Sequence, residues 1–186
     1  MRRPPTSTET AIAPITPTQT VGPFFALGLC ERPAATLVPP GSSLAVLVAG
    51  HVLDGAGEGV PDALVETWQA SPEGSYLATP EWFGRCGTGP TGEFAFVTSK
   101  PGRVPGAGGG LQAPHLEVLV FARGLLRPVL TRMYFPEEAE SNAADPVLAS
   151  VDPERRETLV ALPDGSCGLR FDVRLQGERE TVFLAV

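Results

Sequence analysis

The segment Ala113–Phe135 constrains the fold more than any other stretch of this chain. Its apolar residues recur with a period of two: Leu116, Val118 and Val120 fall on one side, Glu117, Leu119 and Phe121 on the other. Gly124 interrupts the run, and Val129 and Leu130 lead a second one into Met133, Tyr134 and Phe135. The spacing predicts two adjacent strands joined by a short turn around Arg123-Gly124. The first strand opens with His115, two residues before Glu117. In a strand those two side chains share a face, so they can converge on one ligand or one metal ion.

The rest of the chain reads in the same way. Glycine (21) and proline (20) make up about a fifth of the 186 residues, against roughly 12% in average usage, which favours short strands and loops over long helices. Residues 1–15 form a polar tail, expected to be mobile. Thr16–Phe25 reads as an arm, with a turn at Gly22-Pro23 and Phe24-Phe25 as its apolar anchor; 26–43 read as loop. Leu44–Leu53, carrying His51, is the first strand, and Ala63–Ala70 alternates Leu64, Glu66 and Trp68 against Val65, Thr67 and Gln69. Arg85–Thr88 and Phe94–Ser99 are expected to pair as a hairpin about the turn at 89–92. The stretch 101–114, rich in glycine and proline, reads as a long irregular loop.

Further on, 136–152 has room for one short helical turn. Asp152-Pro153 has the pattern of an N-cap with proline at the first helical position, in a turn not extending beyond Glu157. Thr158–Leu162 and Leu169–Leu175 are expected to form a hairpin about Pro163-Asp164-Gly165, and Thr181–Val186 a last strand. The sum is an all-β chain: an antiparallel β-sandwich with long loops over 44–186, preceded by an N-terminal arm and loop over 1–43.

A net charge of −7 without a basic cluster excludes nucleic acid as the partner. No apolar run has the length of a membrane span, and residues 1–15 lack the apolar core of a signal peptide, so a cytoplasmic location is expected. Cys30, Cys86 and Cys167 are odd in number and widely spaced, which suggests neither a disulfide framework nor a zinc site. The sequence carries no nucleophile elbow, phosphate loop or dinucleotide fingerprint. His51, His115 and Glu117 could form the two-histidine, one-carboxylate face that holds ferrous iron, with Tyr76 as a further donor. On residues alone the chain is a soluble β-sandwich of unstated function. A self-sufficient metalloenzyme using these residues and a non-enzymatic β-sandwich binding module stand as alternatives, and His51, in an apolar strand, reads as a structural histidine before a ligand.

A series of motifs adds a resemblance. Leu64-Val-Glu-Thr-Trp-Gln-Ala70, Gly74-Ser-Tyr76, Phe83-Gly-Arg-Cys86, Gly92-Glu-Phe-Ala-Phe96, Lys100-Pro-Gly102, Ala113-Pro-His115 and Arg132-Met-Tyr-Phe135 are, in this order, similar to those of the intradiol ring-cleaving dioxygenases. Within that family Thr16–Phe25, Phe121-Ala-Arg-Gly124, Arg155–Leu159 and Gly177–Phe183 resemble the α chains of the members that cleave protocatechuate (3,4-dihydroxybenzoate) with O2. The family's catalytic chains hold ferric iron through two tyrosines and two histidines. By this resemblance Tyr76 matches the first tyrosine and His115 the first histidine, whereas Val104 and Glu117 stand where the second tyrosine and second histidine belong. The arginine that precedes the histidine region is missing from Gly-Leu-Gln-Ala113. The resemblance thus implies no metal and no catalytic residue in this chain, with Fe(3+) held by a homologous β subunit in a hetero-oligomer. It also implies substrate-facing roles for Thr20, Gly22 and Pro23 in the arm, and for Arg123 beside the substrate carboxylate, which a guanidinium can pair with bidentately.

Overall fold

In this computed structural model residues 16–185 are described, apart from 23, 31–33, 40, 77–79, 107 and 166–167. The expected mobile tail at 1–15, Pro23 and Val186 lie outside that set. A short helix, α1 (Phe24–Cys30), precedes strands β1 (Ala45–Leu53), β2 (Leu64–Gln69), β3 (Phe83–Gly87), β4 (Glu93–Ser99), β5 (Val104–Pro105), β6 (Leu111–Gln112), β7 (His115–Phe121) and β8 (Val129–Tyr134). Helices α2 (Ala139–Ala143) and α3 (Pro146–Ser150) follow, then strands β9 (Leu162–Asp164), β10 (Gly168–Arg170) and β11 (Val173–Arg174).

One sheet has the order β3-β2-β7-β8 and is antiparallel throughout. The other is built on β1, which pairs antiparallel with β4 on one side and parallel with β10 and β11 on the other. The all-β sandwich read from the sequence is the fold, but it is not antiparallel throughout: β1 pairs parallel with β10 and β11. The period of two explains the layering: Leu116, Val118 and Val120 of β7 point inward with Val65 and Met133, and meet Val48, Val52, Phe94, Phe96, Phe171 and Val173. Full burial of such a side chain stabilises by about 1.5–3 kcal/mol. The other face of β7 is left for His115 and Glu117.

Several expectations need correction. Arg85–Thr88 and Phe94–Ser99 do supply β3 and β4, but not as a hairpin: β3 pairs with β2 and β4 with β1. The turn at 89–92, closed by the Gly92 N–H on Gly89 O at 2.9 Å, instead carries the chain from one sheet to the other. Pro163 and Asp164 belong to β9, so that hairpin turns from Gly165 onward, where φ is 69°. Thr158 lies in a 3-10 helix, Pro153–Leu159, which begins at the expected Asp152 cap but runs past Glu157. The acidic stretch 136–152 holds two short helices rather than one turn, and 101–114 contains the small ladder β5–β6. The C-terminal segment makes an isolated bridge, Leu184 to Leu130, in place of a strand. In the arm, Phe24–Cys30 is helical: its Phe-Phe-Ala-Leu-Gly-Leu-Cys sequence has neither proline nor a β-branched residue to oppose a helix. Phe25 alone is the anchor, its ring 5.4 Å from that of Phe121, while Phe24 is 79% exposed.

Candidate functional site

Two groups of the expected residues are brought together, at opposite ends of β7. His115 stands at the start of that strand and Phe121 at its end, a run of roughly 20 Å at about 3.3 Å per residue.

At the first end, two glycine motifs position Tyr76. Gly74 has φ 79°, and a Cβ there would lie 2.2 Å from Arg103 O. Gly74 and Gly102 both donate backbone N–H groups to Ser71 O, each at 2.9 Å. The Gly74-Ser-Tyr76 and Lys100-Pro-Gly102 loops therefore interlock backbone against backbone, an approach only glycine allows. The Tyr76 hydroxyl comes to 3.4 Å from His115 Nε2. His115 is 3% exposed, and its Nδ1 lies 2.7 Å from Ala113 O. A carbonyl only accepts, so Nδ1 carries the proton, and in the neutral ring Nε2 keeps its lone pair.

Glu117 follows on the same face, with Oε1 3.6 Å from His115 Nε2. Directly across the ladder from Glu117 is Arg132 of β8. Arg132 Nε donates to Glu117 Oε1 at 2.8 Å, its Nη2 lies 2.6 Å from the same oxygen, and its Nη1 donates to Gln112 Oε1 at 2.9 Å. Glu117 Oε2 is buried and has no hydrogen-bond partner among the described residues. Burial works to raise the Glu117 carboxyl, but the Arg132 guanidinium, by its charge and its hydrogen bonds, prevails and holds it below the usual carboxylate range. The Tyr76 phenol is pushed up, first by burial and then by the Glu117 charge, with Arg132 opposing. It therefore stays a neutral O–H donor.

Ferric iron does not fit these residues. Val104, 4% exposed and paired with Gln112, offers no donor atom. The Glu117 oxygen nearest His115 is already held by a guanidinium, which cannot lose its proton and would repel any cation placed there. His51 does not join the group either. It lies on β1 in the other sheet, with its backbone N–H and ring Nδ1 3.1 and 3.4 Å from Asp172 Oδ1. The set His51, His115 and Glu117 is therefore corrected: the strand pattern turns both groups outward from a core that separates them.

At the other end of β7 the arm meets the β7–β8 turn. Thr20 Oγ1 accepts the Gly124 N–H at 2.8 Å, and the Phe25 N–H donates to Gly22 O at 3.1 Å. Arg123 projects beside this contact, its side chain 55% exposed. Its Nε and Nη2 reach the two oxygens of Asp62 at 3.3 and 2.9 Å. Asp62 takes only the Nε–Nη2 edge of the fork, which leaves Nη1 and the second Nη2 proton for another acceptor. Thr20, Gly22 and Arg123 thus form one exposed surface.

Two residues of these sites were not singled out from the sequence. Arg132 lies within a motif, but a turn centred on Arg123-Gly124 would set Leu130 opposite Glu117; the observed register is shifted and sets Arg132 there. Asp62 carried no signal beyond that of a turn residue after proline.

A family profile described as Dioxygenase matches residues 32–177. The protocatechuate 3,4-dioxygenase alpha chain of Burkholderia cepacia is 42% identical over 92% of this chain and 97% of its own length. The protocatechuate 3,4-dioxygenase beta chain of the same organism is 30% identical, over 73% of this chain and 66% of that one. Among solved structures, the dioxygenase domain of a dioxygenase carbohydrate-binding protein fusion from Streptomyces sp. SirexAA-E superposes with a TM-score of 0.63 at 24% identity. It covers 87% of this chain and 99% of the other.

Proposed function

Since the chain belongs to the family of intradiol ring-cleaving dioxygenases, a family of non-haem iron oxidoreductases, we propose that it is the α subunit of a heteromeric protocatechuate 3,4-dioxygenase. Its partner is a homologous β subunit in an α/β hetero-oligomer of the cytoplasm. The complex cleaves protocatechuate between its hydroxylated carbons with both atoms of O2, giving 3-carboxy-cis,cis-muconate. Fe(3+) held by the β subunit supplies the Lewis acidity that binds the catecholate. This chain supplies walls and charge. Thr20, Gly22 and Pro23 line the pocket from the arm, and the free edge of the Arg123 fork receives the substrate carboxylate.

The observation that carries this reading is the contrast between the two ends of β7. At one end the donors that could hold a metal are closed off by an ion pair. At the other, an arginine with half its side chain in solvent is aimed outward next to a docked arm.

Arg123→Ala in the reconstituted complex tests it. The lost contact is a charge-assisted hydrogen bond of about 1.5–3 kcal/mol, or on the order of ten- to a hundredfold in kcat/KM for protocatechuate. Catechol, which has no carboxylate, loses much less, and iron content is unchanged. An equal loss for both substrates, or an unchanged KM for protocatechuate, removes Arg123 from the substrate site.

A further inference from the structure

The pocket at the start of β7 fails as a ferric site, yet its remaining donors are not scattered. An ion held tetrahedrally by bonds of about 2.1 Å has neighbouring ligand atoms about 3.4 Å apart. Tyr76 Oη and His115 Nε2 are separated by 3.4 Å, and His115 Nε2 and Glu117 Oε1 by 3.6 Å. His115 Nδ1 is tied to Ala113 O, which fixes the ring with Nε2 facing the other two donors; metal-bound histidines are oriented in the same way. Glu117 Oε2 is buried and without a hydrogen-bond partner among the described residues, so the carboxylate has unused capacity.

What occupies the remaining side of this group is Arg132. Three of its nitrogens are committed, two to Glu117 Oε1 and one to Gln112, and its side chain is only 13% exposed. It is thus a fixed positive charge on the same carboxylate oxygen that a metal would need.

We propose that Arg132 is a built-in substitute for a metal ion: it neutralises Glu117 and closes a latent divalent-metal site made of Tyr76, His115 and Glu117. The donor set, one imidazole nitrogen with carboxylate and phenol oxygens, suits a borderline cation such as Zn2+ or Co2+, with water as the fourth ligand. Ferric iron lacks the second phenolate and second imidazole there. The inference does not depend on the substrate or partner assigned above.

The test uses the full-length chain and zinc itself. Wild type and Arg132→Lys, which keep the positive charge, retain no stoichiometric zinc after dialysis. Arg132→Gln, which removes the charge and keeps a polar group within reach of Gln112, retains one zinc per chain. Its affinity is at least about a hundredfold higher than that of wild type, as expected when a unit charge close to the ion is removed. The gain disappears in Arg132→Gln/Glu117→Gln. Cobalt in place of zinc gives Arg132→Gln the visible absorption of a tetrahedral ion, which wild type lacks. If Arg132→Gln folds poorly, zinc restores its melting transition, because the ion binds the folded state. A folded Arg132→Gln chain without zinc uptake overturns the proposal. So does an unfolded one that zinc fails to rescue, or a wild-type chain that takes up one zinc in a Glu117-dependent way.

Discussion

Asp145→Ala is predicted to be among the most damaging single substitutions in the chain, although the residue is no part of either site. Asp145 is fully buried, and its carboxylate accepts four hydrogen bonds. Oδ1 takes the Val147 and Leu148 N–H groups at 2.9 and 2.8 Å, capping α3, and the Tyr134 hydroxyl at 3.1 Å; Oδ2 takes the Ala113 N–H at 2.8 Å. Removing the cap alone costs about 1 kcal/mol. The Ala113 N–H and the Tyr134 hydroxyl would then be stranded in a dry interior, at about 1–3 kcal/mol each. Because the four bonds share one carboxylate the terms do not add fully, and a total of about 3–5 kcal/mol is expected. That is a large part of the roughly 5–15 kcal/mol available to a domain. Asp145→Asn should be milder, since Oδ1 can remain the acceptor for three of the four donors and only the Ala113 N–H, then facing an amide NH2, loses its partner. Urea unfolding of the full-length chain measures both, as a lower midpoint at unchanged slope. A loss below about 1 kcal/mol for the alanine variant would show that this carboxylate does not tie α3 to Ala113, just ahead of β7, and to Tyr134 of β8.

Phe25→Ala removes the ring contact with Phe121 that fastens the arm. It should cost about 1 kcal/mol locally, seen as faster proteolysis near residue 25 with little change in overall melting; an arm no more susceptible than in wild type would mean that Thr20 alone holds it. The depressed Glu117 pKa carries a definite sign. The folded state binds fewer protons there than the unfolded chain, so the contribution is complete above the unfolded value of about 4.3 and is lost as pH falls through the folded value. The urea midpoint of wild type should therefore drop more steeply below about pH 4 than that of Glu117→Gln, and parallel acid limbs would contradict the ion-pair account.

The strands were legible because their signal is local. The alternation of Leu116, Val118 and Val120 sets the buried face of β7 and fixes His115 and Glu117 on the other, a consequence of pleat geometry alone. Pairing was less legible. β3 and β4 flank a good turn yet belong to different sheets, because turn chemistry specifies a reversal of direction and not the strand's next neighbour. The parallel pairing of β1 with β10 and β11 joins segments more than a hundred residues apart, and no local pattern announces it. Of the sites, the convergence of His115 and Glu117 followed from their spacing. The role of Arg132 did not, since it depends on a cross-strand partner rather than on sequence neighbours. Arg123 was found through its motif, while its partner Asp62, sixty-one positions away, was invisible from sequence.

The central claim is that this chain serves an iron enzyme without holding the iron. The most direct measurement is the iron content of the purified α–β complex, for wild type and for Tyr76→Phe in this chain. The account predicts one iron per α–β pair in both, with the visible absorption of the complex unaltered by the substitution. Two irons per pair, or iron and colour lost with the Tyr76 hydroxyl, would place a working metal centre in this chain and contradict it.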